Sequence, residues 1–102
     1  MKLAYDDDAL QGFCREHGIA RLELFGSALR EDFSERSDID LLCTLGAGTR
    51  CTLLGWADLQ LKLTALFGRP VDLVSRWAIE RSRNPYRKNA ILSTTHPIYV
   101  EG

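Results

Sequence analysis

Asp38 and Asp40 stand two residues apart in the stretch Asp-Ile-Asp-Leu-Leu-Cys-Thr-Leu. If that stretch is a strand from Asp38 to Leu45, side chains alternate between its faces, so both carboxylates project one way while Ile39 and Leu41 project the other. Adjacent carboxylates repel unless a cation lies between them. Hard oxygen ligands at this spacing suit Mg²⁺, which takes a few carboxylates and completes its octahedron with water and phosphate oxygens. The same pair is also explained by ion pairing with Arg30 or Arg36, or by capping of a loop. Gly26 and Ser27 precede the pair, with ten residues between Ser27 and Asp38. A glycine leaving a strand admits a phosphate close to the backbone, and a helical turn after it offers free N–H groups. The Ser27 hydroxyl either contacts phosphate or caps the turn. A third acid, Asp72, sits within Pro-Val-Asp-Leu-Val, where burial of an unpaired charge is costly. It either faces the same cation as Asp38 and Asp40 or lies at the solvent end of an edge strand, paired with Arg69 or Arg76. Three acids about two cations would serve in-line phosphoryl or nucleotidyl transfer, one carboxylate taking the acceptor's proton.

Elements that would place these residues are legible in the hydrophobic pattern. Asp6 to Glu16 reads as a helix, with acids at its start and Leu10, Phe13 and Cys14 at helical spacing; Gly18 stops it. Ile19 to Phe25 reads as a strand, broken by Gly26 and Ser27. Ala28 to Asp32 suits one helical turn and Ser34 to Ser37 a polar loop. Thr52 to Phe67 is the main helix, with Leu53, Trp56, Leu59, Leu63, Leu66 and Phe67 near one stripe and Asp58–Lys62 as an exposed i,i+4 pair. Val71 to Ser75 is a third strand after Pro70. Ala78 to Arg83 suits a short helix, Pro85 to Leu92 another, and Pro97 to Val100 a terminal strand. Strands alternating with helices imply an α/β layered structure, without fixing strand order or direction.

The chain has 102 residues, 45% hydrophobic and 26% charged. That suits one domain over residues 1–102. Thirteen basic against fourteen acidic side chains give a net charge of −1, so no global positive field holds nucleic acid. No apolar run approaches the roughly 20 residues of a membrane span. The N-terminus turns acidic where a signal peptide turns apolar, which predicts a cytoplasmic protein. Cys14, Cys43 and Cys51 form no C-x-x-C pair and read as reduced core or surface thiols.

Gly26-Ser27-x10-Asp38-x-Asp40, with Asp72 on a later strand, resembles the signature of the DNA polymerase β-like nucleotidyltransferase superfamily. The wording Leu-Phe-Gly-Ser…Ser-Asp-Ile-Asp-Leu-Leu is similar to the minimal nucleotidyltransferases, the MNT antitoxins paired with HEPN toxins. The resemblance spans about Leu10 to Val100. It implies a small mixed β-sheet flanked by helices (α/β, or α+β) and Mg²⁺-dependent transfer of AMP from ATP. By position it implies that Gly26, Ser27 and Arg30 hold the triphosphate, Asp38 and Asp40 bind metal, and Asp72 is ligand or base. Many relatives have Arg directly after Gly-Ser, where this chain has Ala28. The resemblance further implies a tyrosine of a HEPN ribonuclease as acceptor, silenced by adenylylation and bound in a hetero-oligomer. Two other readings share the same fold: a binding module that masks the toxin, and an aminoglycoside-type transferase.

Arg81, Arg83, Arg87 and Lys88, with Tyr86 among them, make the C-terminal third locally basic, as a solvated helix face or a contact for nucleotide or partner. Trp56 and Trp77 read as core or interface anchors. His17 and His96 receive no role, and Asp6 to Asp8 read as helix N-terminal charge.

Overall fold

The computed structural model describes residues 5–26, 38–49, 51–93 and 95–101. The helical turn and polar loop expected between Ala28 and Ser37 lie outside the described residues.

Helix α1 (Asp7–Glu16) is started by Asp6, whose side chain accepts from the Ala9 N–H at 3.1 Å. It buries Leu10 and Cys14. Strand β1 (Ile19–Phe25) follows, then β2 (Ile39–Leu45), so Asp38 stands one residue outside the strand expected to contain it. Helix α2 (Leu53–Phe67) is capped by Thr52, whose Oγ1 accepts from Gly55 N–H at 3.0 Å. It ends at Gly68, in the left-handed region at φ 72°, where a side chain would be strained. Strand β3 (Val71–Ser75) leads directly into α3 (Arg76–Glu80), which begins two residues earlier than expected because Ser75 caps Ala78 N–H. Helix α4 (Pro85–Leu92) and strand β4 (His96–Val100) complete the order.

The strands form one mixed sheet in the order β3-β2-β1-β4. β1 pairs antiparallel with both β2 and β4, and β2 pairs parallel with β3 through the α2 crossover. A bulge between Ile19 and Arg21 shifts the β1 register. This lets Ile19, Leu22 and Leu24 share one face despite their uneven spacing. That face, with Ile39, Leu41 and Cys43, packs against Leu10 and Cys14 of α1 and Leu59, Leu63 and Phe67 of α2. The opposite face carries a smaller cluster, in which Phe25 and Leu42 meet Ile79 and Ile91.

Burial raises the Cys14 and Cys43 thiols from 9.0 to about 12, so both are neutral, inert core residues at any physiological pH. Leu53, expected on the buried stripe of α2, is exposed, because it precedes the first turn that packs on the sheet. Trp56 is half-buried and donates its Nε1–H to the Leu73 carbonyl at 3.1 Å. Trp77 is 64% exposed and so is no core anchor; the Arg81 guanidinium lies 4.1 Å over its ring. Asp58 and Lys62 form the expected surface pair at 3.0 Å. No helix among the described residues is long and apolar enough to cross a membrane.

Candidate nucleotidyl-transfer site

Register brings two of the acids side by side. Asp40 lies directly opposite Phe25 on β1 and directly opposite Asp72 on β3. Neighbouring strands run about 4.8 Å apart, so Asp40 and Asp72 are side by side on one face. That is the face of Leu42 and Phe25, opposite the main core. Asp38 precedes Asp40 by two residues at the mouth of β2, and is exposed. Asp40 is half-buried.

Gly26 leaves β1 at the same end of the sheet, with φ 65°. A Cβ built on it would lie 2.5 Å from Asp40 Oδ2, so the Asp40 carboxylate packs directly on the glycine backbone. Only a residue without a side chain allows both the left-handed turn and this approach. Replacing Gly26 with Ala is expected to displace the Asp40 carboxylate by close to an ångström. Misplacement on that scale costs about 100-fold in turnover. Circular dichroism should show the sheet retained, while steady-state transfer rates show the loss.

Asp72 departs from the expectation in one respect. It is exposed on edge strand β3, so no burial penalty explains its presence. The pairing offered for it with Arg76 is not made: Arg76 holds Glu23 at 2.7 Å and approaches Glu80 at 3.8 Å. Ser27 and Arg30, expected at the triphosphate, lie outside the described residues, as does Arg36.

The residues present fit a divalent cation of the Mg²⁺ kind. Asp38, Asp40 and Asp72 offer hard oxygens, and the glycine cradle fixes one of them. Among the described residues no three His, Cys, Asp or Glu side chains converge on one point. One or two carboxylates with remaining positions left to water and phosphate is the coordination habit of Mg²⁺.

Sequence reading missed Glu23. It is 1% exposed, in the middle of β1, on the same face as the acids. Arg76 Nη1 donates to its Oε1 at 2.7 Å, Thr95 Oγ1 donates to its Oε2 at 2.6 Å, and Arg21 Nε stands 3.2 Å away. The only signal was a glutamate between two leucines in a strand, which also suits a half-exposed sheet face.

A family model for the nucleotidyltransferase domain matches residues 7–96. The chain belongs to the nucleotidyltransferase domain family. A protein of Methanocaldococcus jannaschii, provisionally named a protein adenylyltransferase, is 35% identical over 78 residues, covering 76% of this chain and 77% of the relative. A solved structure described provisionally as a minimal nucleotidyltransferase is 36% identical, with TM-score 0.65, covering 89% of this chain and 87% of the other. The fold, a mixed sheet with flanking helices, is thus that of the minimal nucleotidyltransferases. It is shared with two toxin–antitoxin structures. One contains AMP-PNP, at TM-score 0.69 and 18% identity, covering 93% of this chain and 73% of the other. The second holds a tri-AMPylated Shewanella oneidensis HEPN toxin with its MNT antitoxin, at TM-score 0.60 and 19% identity, covering 92% and 69%.

Proposed function

We propose that this nucleotidyltransferase transfers AMP from ATP to a tyrosine of a HEPN-type ribonuclease, acting as its cytoplasmic antitoxin from a single domain. The observation that carries the reading is Asp40 standing directly opposite Asp72, with its carboxylate packed on Gly26, the residue that leaves β1. The tyrosine oxygen attacks the α-phosphorus, the bond to the bridging oxygen breaks, and pyrophosphate leaves with the electron pair. Asp38 and Asp40 would hold Mg²⁺, which when bound neutralises charge on the phosphate oxygens. Asp72, beside Asp40, is placed to share that cation or to take the tyrosine's proton. Gly26 gives the triphosphate access to backbone, and Ser27 and Arg30 complete the seat.

The relative named as a protein adenylyltransferase supports protein as the acceptor. Likeness to complexes of toxin and antitoxin, one AMPylated, supports the partner class and a hetero-oligomer. A second reading, neutralisation by masking, is favoured by the large apolar side chains left at the surface, Leu53, Leu54, Trp77 and Tyr86 among them. Incubation with Mg²⁺, ATP and a HEPN-type protein, followed by intact mass spectrometry, separates the two. Added AMP masses on the toxin are the expected result; an unmodified but inhibited toxin would make masking the function.

A further inference from the structure

Helix α2 packs Leu59, Leu63 and Phe67 on the sheet, yet its outer side is apolar as well. At 3.6 residues per turn, Leu54 and Leu61 project almost directly away from Leu63, with Ala57 and Ala65 beside them. Leu54 is 85% exposed and Leu61 69% exposed, and both alanines are exposed. Exposed apolar side chains gathered in one stripe mark an association surface. Asp58 and Lys62 lie along one margin of this stripe.

The stripe is complementary to itself. Run antiparallel against a second α2, Leu54 of one copy falls opposite Ala65 of the other, and Leu61 falls opposite Ala57. The same placement sets Asp58 of each copy opposite Lys62 of the other. One two-fold axis at the height of residues 59 and 60 satisfies all three pairings to within a residue. Large-against-small packing and opposite charges, generated by a single chain against itself, are what an isologous interface requires. We infer that two copies of this chain associate through the outer face of α2, antiparallel about that axis. Four apolar side chains per copy are far fewer than the roughly 20–30 residues a side of a standard interface, so the dimer is weak.

Sedimentation velocity on the full chain between about 5 and 500 μM is expected to show a monomer–dimer equilibrium in this range. Leu61→Glu places like charges near the axis and is expected to leave a monomer throughout, with unchanged circular dichroism because Leu61 is already exposed. Asp58→Lys and Lys62→Asp each place like charges opposite one another and should each weaken self-association about tenfold at low salt. Mixed in equal amounts, the two variants are expected to form a heterodimer at least as stable as the wild-type dimer. Both single variants also lose the pair within the helix, so rescue on mixing reports the contact between copies. A wild-type chain monomeric at the highest concentration overturns the inference. So does a dimer that Leu61→Glu leaves intact, or an α2 face that binds the HEPN-type protein while the chain alone stays monomeric.

Discussion

A variant carrying Asp38→Asn and Asp40→Asn is expected to fold normally and to transfer AMP about 1000-fold more slowly, a loss of about 4 kcal/mol in the transition state. The amides keep the shape and part of the coordinating oxygen set. They lack the negative charge that holds a divalent ion against the phosphates. Folding should survive because Asp38 is exposed and Asp40 sits at the rim of the sheet, where removing like charges beside Asp72 relieves repulsion. Two measurements check this. Transfer to the toxin is followed by intact mass, and thermal unfolding is followed with and without Mg²⁺ and ATP. Saturation at about 100 times Kd stabilises a binding-competent protein by about 2.7 kcal/mol, a shift the wild type should show and the double variant should lose. Normal transfer by the variant would sink the assignment of these carboxylates to the cation. If the variant binds the toxin yet no longer protects cells, the transferred AMP is the antidote; continued protection assigns neutralisation to masking.

The largest effect on stability is expected at Glu23. Replacement with Ala leaves Arg76 Nη1 and the Thr95 hydroxyl without their acceptor and the Arg21 guanidinium without its counter-charge, in a strand position that is 1% exposed. Breaking a buried ion pair from one side costs about 3–5 kcal/mol. The lower end applies here because the two arginine side chains are 42% and 29% exposed and regain water. A loss of about 3 kcal/mol is a large share of the roughly 5–15 kcal/mol that holds a domain folded. It should lower the melting temperature by about 12–24 °C in a chain of this size. Glu23→Gln, which keeps an acceptor for Thr95, should cost about half as much in urea unfolding. Replacing Glu23 and Arg76 together with apolar residues of similar volume should recover most of the loss, since the cost lies in the orphaned charge. Equal instability of the single and double variants would show that packing, rather than charge, is what Glu23 supplies.

Much of this architecture can be read from local pattern. The β1, β3 and α4 boundaries follow directly from apolar runs between Gly18 and Gly26, after Pro70, and after Pro85. The acids were recognisable because their spacing is itself chemical: two residues apart in a strand means one face, whatever lies around them. What the chain could not announce was pairing. That Asp72 falls opposite Asp40 depends on the parallel register set by α2, and no periodicity encodes that register. Arg76 was legible only as a cation near Asp72; its bond to Glu23, 53 residues earlier, is a tertiary event. Leu53 and Leu54 illustrate a further limit. Hydrophobic spacing says which residues want cover, and the packing of α2 leaves these two outside it.

The arrangement of β1 has a consequence for biosynthesis. β1 sits inside the sheet, yet its β4 side is closed only when His96–Val100 has been made, and Glu23 receives Thr95 at the same stage. At about 5–20 residues per second, translation from Arg21 to its partner Val100 takes about 4–16 s. Throughout that interval a nascent strand rich in leucine presents an open hydrogen-bonding rim, the feature by which chains stick edge to edge. Yield of native protein should therefore fall when ribosomes stall between the codons for β1 and those for His96–Val100, even at codons that leave the encoded residues untouched.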